Sequence, residues 1–219
     1  MSIAYGGIIA FIFRGAHLAV AFALVWVTST ELGGAGRGTF ILGVTAIGMV
    51  TALMNGLTAA AAYQVSNRRR HPVEVLANAA VPALGAVAAV LVAGAVGRAA
   101  FSGDIAAVAI PVAAGAGAIV VNSTIGGVLL GQEAFVRYNA SQVLPVACSL
   151  TAIGVTFWVF DRATPTAGLT AYAVGQWAAS PVLLAFAVRR FPGRPGLDWR
   201  LAQLDRFLIR VSLGYPGIQ

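Results

Sequence analysis

The chain has 219 residues, 59% of them hydrophobic and only 10% charged, with a formal net charge of +7 and a mean hydropathy of +0.85. A soluble domain carries about 25% charged residues, so the composition excludes a soluble globular protein and identifies an integral membrane protein of the all-α class. The positive charge does not imply nucleic acid, because the fourteen cations, every one an Arg, lie in short links between apolar spans instead of forming one basic face.

The first predicted span covers about residues 3–30 and carries one full charge, Arg14, near its middle. A helix needs roughly 20 apolar residues to cross a bilayer, and a cation inside it usually faces a bundle interior or a wet cavity. The alternative is that Arg14 snorkels to the interface. His17 follows one helical turn later, either sharing that face or packed as a polar residue against a neighbouring helix. The span lacks a basic leader and a small-x-small cleavage site, so it is expected to remain in the mature protein.

The Gly-rich stretch 31–38, ELGGAGRG, reads as a link, and it lacks the Lys and Ser/Thr of a phosphate loop. A second span at about 39–65 carries Gly48, Thr51, Asn55, Thr58 and Ala62 on one face. Such a stripe forms either a helix seam or one wall of a cavity, and both readings apply to Asn55. The link SNRRRHP ends this span with three consecutive arginines, and Pro72 suits the opening of the next helix. His71 reads as a solvated side chain.

A third span is predicted at about 73–97 and a fourth at about 105–130, the latter with Asn122, Ser123 and Thr124 deep inside it. The link 131–139 leads to a fifth span at about 140–160, with Cys148 as a small packing residue. A sixth covers about 168–188, where Tyr172, Gln176 and Ser180 recur every four residues. With one cysteine the chain has no intrachain disulfide and no cysteine metal cluster. Residues 191–219 read as a breaker cluster followed by an amphipathic interfacial helix, with Trp199, Leu201, Leu204, Leu208 and Val211 at helical spacing. The expected domain is therefore a six-helix transmembrane lobe over residues 1–190.

Placing the N-terminus in the cytoplasm puts Arg68, Arg69, Arg70, Arg137, Arg189, Arg190, Arg194, Arg200, Arg206 and Arg210 inside and only Arg37, Arg98 and Arg162 outside. The positive-inside rule favours that orientation.

Several features together resemble a known group: Arg14 in the first span, the turn Leu32, Gly33, Gly36, Arg37 and Gly38, the basic loop after the second helix, and Gly131, Gln132, Phe135, Tyr138 and Asn139 after the fourth. They are similar to the N-terminal half of Wzx-type polysaccharide biosynthesis flippases, in the multidrug/oligosaccharidyl-lipid/polysaccharide exporter (MOP, MATE-like) superfamily. The resemblance implies a bacterial cytoplasmic-membrane transporter that flips undecaprenyl-pyrophosphate-linked oligosaccharide for surface polysaccharide biosynthesis. It also implies two six-helix lobes around a cationic cavity. This chain supplies one lobe, so the second is expected from a missing C-terminal half or a separate chain, with the interfacial helix as the connection.

Within that framework Arg14 is expected to attract the pyrophosphate and His17 to share its face. Asn55, Asn122 and Gln176 either contact sugar hydroxyls or bridge helices. Other readings are a noncatalytic membrane scaffold or half-transporter partner, and a drug or cation exporter of the same superfamily, which commonly relies on buried acids. An enzyme acting on polyprenyl phosphates generally needs paired carboxylates. All seven acids, Glu31, Glu74, Asp104, Glu133, Asp161, Asp198 and Asp205, lie in links or at span ends. No enzymatic activity, metal or cofactor is therefore expected.

Overall fold

A computed structural model describes residues 3–188, with side chains described for all of these except residues 3–6, 51, 53–55, 81, 82 and 104. The predicted interfacial helix at 191–219, and six of the ten arginines counted for orientation, lie outside the described residues. Six long helices follow one another: α1 (Ile3–Glu31), α2 (Gly33–Ser66), α3 (Pro72–Ala100), α4 (Gly103–Gly131), α5 (Phe135–Gly154), continued by a π-helical turn (Val155–Val159), and α6 (Pro165–Val188). Gly7–Glu31, Pro72–Ala100, Ile105–Gly131, Phe135–Val159 and Pro165–Val188 are long and apolar enough to cross a membrane. At 34 residues α2 also exceeds the bilayer core at 1.5 Å per residue. The exterior is correspondingly oily, with Phe11, Phe22, Leu42, Val92 and Val159 exposed. The protein is a multi-pass membrane bundle.

The links are shorter than the sequence suggests. α2 begins at Gly33, inside the Gly-rich stretch, and α5 begins at Phe135, so that Tyr138 and Asn139 are helical. A glycine costs about 1 kcal/mol against alanine in an exposed helix, but backbone groups in lipid have no water to bond and the helix satisfies them. Only Leu32 separates α1 from α2, and the chain turns at Gly33 with φ +64°, a left-handed conformation suited to a residue without Cβ. His71 is half-buried, and its Nδ1 accepts from the backbone N–H of Val73 at 3.3 Å, capping α3 ahead of Pro72.

Helix α4 sits in the middle, packed against α2, α3 and α6 and more lightly against α5. Its GxxxG pair, Gly127 and Gly131, lies directly on the backbone of α2 at Thr58 and Ala62. Any side chain there would overlap that backbone, and such close approach is how membrane helices gain packing energy without a hydrophobic drive. Thr58, predicted as part of a seam or cavity wall, donates to the Ser123 carbonyl at 3.1 Å and so belongs to the α2–α4 seam. One cluster joins Ala61, Val65, Val75, Val128, Leu183 and Ala187. It draws together the end of α2, the start of α3 and the ends of α4 and α6. This end also carries Arg68, Arg69, Arg70 and Arg137 and is called the basic end below. At the opposite end a second cluster joins Leu24, Val27, Phe40, Phe157 and Leu169.

Helix α1 packs chiefly on α5 and only lightly on α2, and the α1–α5 pair runs parallel. His17 meets Gln142 toward the basic end, and Glu31 Oε1 accepts from Trp158 Nε1 at 3.1 Å at the other.

Candidate functional site

Arg14 and His17 lie three residues apart, on one face of α1, and that face meets the first two turns of α5. His17 Nδ1 lies 3.1 Å from the Gln142 carbonyl oxygen. A carbonyl only accepts, so Nδ1 is the protonated nitrogen and Nε2 is left for another partner. Nearby, Pro145 supplies no N–H to the Ser141 carbonyl, so this stretch of α5 has an acceptor to spare. Asn139 Nδ2 is held by the Phe135 carbonyl at 2.7 Å, which leaves its amide oxygen for other contacts.

Between the two helices Phe13, Arg14, His17, Tyr138, Asn139 and Gln142 line a cavity of about 450 Å³. Arg14 is exposed to it, eleven residues along α1 from Ile3, or about 16 Å of rise. An ion pair among the described residues joins Arg70 to Glu74 at 3.5 Å, and none among them neutralises Arg14. The site is thus a cationic pocket with amide, phenol and imidazole groups around it. A guanidinium in that setting forks onto phosphate or carboxylate oxygens. Among the described residues no three His, Cys, Asp or Glu side chains converge as a metal site.

Asn122 and Gln176 take a different place. They are 8% and 3% exposed and are not among the residues lining the Arg14 cavity. Asn122 Nδ2 donates to the Gln176 carbonyl at 3.0 Å, and its Oδ1 accepts from Ser180 Oγ at 2.8 Å. Gln176 Nε2 donates to Ser149 Oγ at 3.2 Å, and Ser149 Oγ donates to the Tyr172 carbonyl at 2.9 Å. The network fastens α4, α5 and α6 together. The side chain of Asn55 lies outside the described residues.

Sequence reasoning brought Arg14 and His17 to one site but left Tyr138 and Asn139 in a link and passed over Gln142. A signal was present: Tyr138 and Asn139 precede Gln142 by four and three residues, and each spacing makes neighbours on a helix surface.

No protein-family model matches the chain, and no curated protein sequence matches it significantly. Two solved structures share its architecture. One is a MOP superfamily transporter from Pyrococcus furiosus, described as having a binding pocket of reverse polarity that suggests a different function. It superposes with a TM-score of 0.65 at 17% identity, over 94% of this chain and 49% of its own. The other is a multidrug resistance MATE family transporter of the MOP superfamily in an outward-facing conformation, with a TM-score of 0.66 at 18% identity and the same coverage of each chain. The fold is that of half a MOP superfamily transporter. The chain spans about half the length of the structures it matches. Its cationic pocket opens between α1 and α5.

Proposed function

We propose that the chain is one lobe of a membrane transporter that moves lipid-linked oligosaccharide, carried on undecaprenyl pyrophosphate, across the bacterial cytoplasmic membrane for surface polysaccharide biosynthesis. The observation that supports this reading is the exposure of the unneutralised Arg14 to the cavity between α1 and α5. A substrate whose invariant part is a pyrophosphate needs a cation at the membrane's interior, where low dielectric strengthens the attraction. In this reading Arg14 holds the pyrophosphate, and His17, locked by Gln142, presents Nε2 beside it. The amide groups of Asn139 and Gln142 meet the first sugar. Asn122 and Gln176 hold the walls of the lobe through their bonds to Ser180 and Ser149, and Asn55 remains a candidate sugar contact on α2. A second six-helix lobe, from a continuation of the chain or from another chain, completes the cavity. The N-terminus and the basic end face the cytoplasm.

A drug or cation exporter of the same fold is the second reading, drawn from the multidrug resistance structure. Against it stand the acids at Glu31, Glu74, Asp104, Glu133 and Asp161, which among the described residues all lie at helix ends or in links.

Complementation of a flippase-null strain tests the proposal, with the 219-residue chain and a two-lobed version compared side by side. Restored surface glycan that is lost with Arg14→Ala supports it. Normal glycan export with Arg14→Ala removes it, and dye efflux without glycan export favours the exporter.

A further inference from the structure

Sharing no lining residue with the α1–α5 pocket, an apolar groove of about 450 Å³ runs between α3 and α6. Its walls are Leu76, Ala80 and Ala83 on α3, spaced by three and four residues, and Trp177, Pro181 and Leu184 on α6 at the same spacing. Ile125 of α4 forms part of the floor. Ala80, Ala83 and Pro181 leave unfilled the space that larger side chains would occupy, and α3 and α6 touch only slightly.

Two hydroxyls reach the lining, and both are occupied: Thr124 Oγ1 donates to the Val120 carbonyl at 2.8 Å and Ser180 Oγ donates to Asn122 at 2.8 Å. The Trp177 indole N–H at the inner end is likewise given to the Ala114 carbonyl at 3.0 Å. The groove therefore offers a ligand contact area but no free donor, and the surrounding medium at this depth is hydrocarbon.

One end of the groove is marked by charge. Leu76 and Leu184 lie near the start of α3 and the end of α6, where Val75 and Ala187 share the cluster at the basic end. Arg70 lies in the link just before Pro72 opens α3, with Leu76 four residues, about 6 Å of rise, into that helix, and its charge is partly matched by Glu74 at 3.5 Å. Arg68 and Arg69 are exposed. An oily slot that begins about one turn into α3, beyond a link carrying two exposed arginines, fits an amphiphile with an anionic head.

We propose that the α3–α4–α6 groove binds an anionic phospholipid, with one acyl chain lying between Ala80 and Pro181 and the phosphate held by Arg68 and Arg69. Basic residues beside membrane helices recognise anionic headgroups in this way. The occupant is a bilayer lipid and not the transported substrate, so the proposal stands apart from the role given to Arg14.

Trp177 at the inner end of the groove supplies the readout. A chain with Trp26, Trp158 and Trp199 replaced by Phe is reconstituted into phosphatidylcholine vesicles. These contain a small fraction of either phosphatidylglycerol or phosphatidylcholine brominated on its acyl chains. Trp177 fluorescence is expected to be quenched at about tenfold lower mole fraction by the brominated anionic lipid, since each cation near the surface contributes severalfold in affinity. Arg68→Gln with Arg69→Gln is expected to bring the two lipids to parity, and Ala80→Phe, which fills the slot, to remove the quenching by the anionic lipid at low mole fraction. Equal quenching by the two lipids in the starting chain would mean bulk lipid only and overturns the proposal. So does an anionic preference that survives the loss of both arginines. Independently of the tryptophan replacements, mass spectrometry of lipid retained by the unsubstituted protein through detergent purification is expected to find phosphatidylglycerol. The double Arg variant is expected to retain none, and retention by both, or by neither, overturns the assignment.

Discussion

The imidazole of His17 and the backbone carbonyl of Gln142, 125 residues apart in sequence and 3.1 Å apart in space, fasten two parallel helices. Helix α1 has few other anchors, since few of its described side chains are buried. The bond sits beside Arg14, so the same contact that holds α1 in place also fixes one wall of the cationic pocket.

That arrangement separates stability from function. His17→Leu is expected to lower stability by about 1 kcal/mol, the scale of an interhelical hydrogen bond in a membrane. Arg14→Ala, which removes an exposed cation without a partner among the described residues, is expected to stay within about 0.5 kcal/mol of the parent. Thermal or denaturant unfolding in micelles checks both, and a large loss with Arg14→Ala would show that its charge is structural.

The GxxxG seam predicts a sharp contrast between glycines. Gly127→Val places side-chain atoms against the backbone of Thr58 and is expected to cost about 1–3 kcal/mol or to block folding. Gly15→Val on α1 meets open space and is expected to be nearly neutral in the same unfolding measurement.

The buried amide network is expected to show coupling. In a double-mutant cycle with Asn122→Ala and Ser180→Ala, the interaction energy is expected near the 0.6 kcal/mol average of about that size measured for membrane helices, with an upper end of about 1.7 kcal/mol. Additive effects would mean that the 2.8 Å contact contributes nothing to stability.

At the basic end Arg137 Nη1 donates to the Phe186 carbonyl at 3.0 Å, and Gln132 Nε2 donates to the Ala187 carbonyl at 2.8 Å. A cation at a helix C-terminus contributes about 0.3–1 kcal/mol. Arg137→Gln is therefore expected to speed amide exchange in the last turn of α6 while leaving the Tyr172–Gln176 region protected. Exchange measured by mass spectrometry on peptides from each region distinguishes local fraying from global loss.

The membrane class and the helical content were legible in the chain itself, because a bilayer leaves a backbone no choice but to bond within the segment, and runs of apolar residues of spanning length announce that directly. Arg14 was legible for the same reason: a charge in such a run stands out against its neighbours. Helix bounds were less so. The glycines after Glu31 and the polar stretch before Ala140 look like links, yet both are largely helical, since packing and the lipid outweigh local propensity. Partners needed the tertiary structure. Nothing in sequence tells whether Gln176 and Asn122 face a cavity or one another, since helical spacing names a face without naming what it meets. Only the arrangement of α1 against α5 and of α4 among its neighbours decided that His17 meets Gln142, that Asn122 meets Ser180, and that alanines on α3 leave a groove beside Pro181. Those pairings depend on how rigid cylinders pack in three dimensions, a property of all six helices together and of no single stretch.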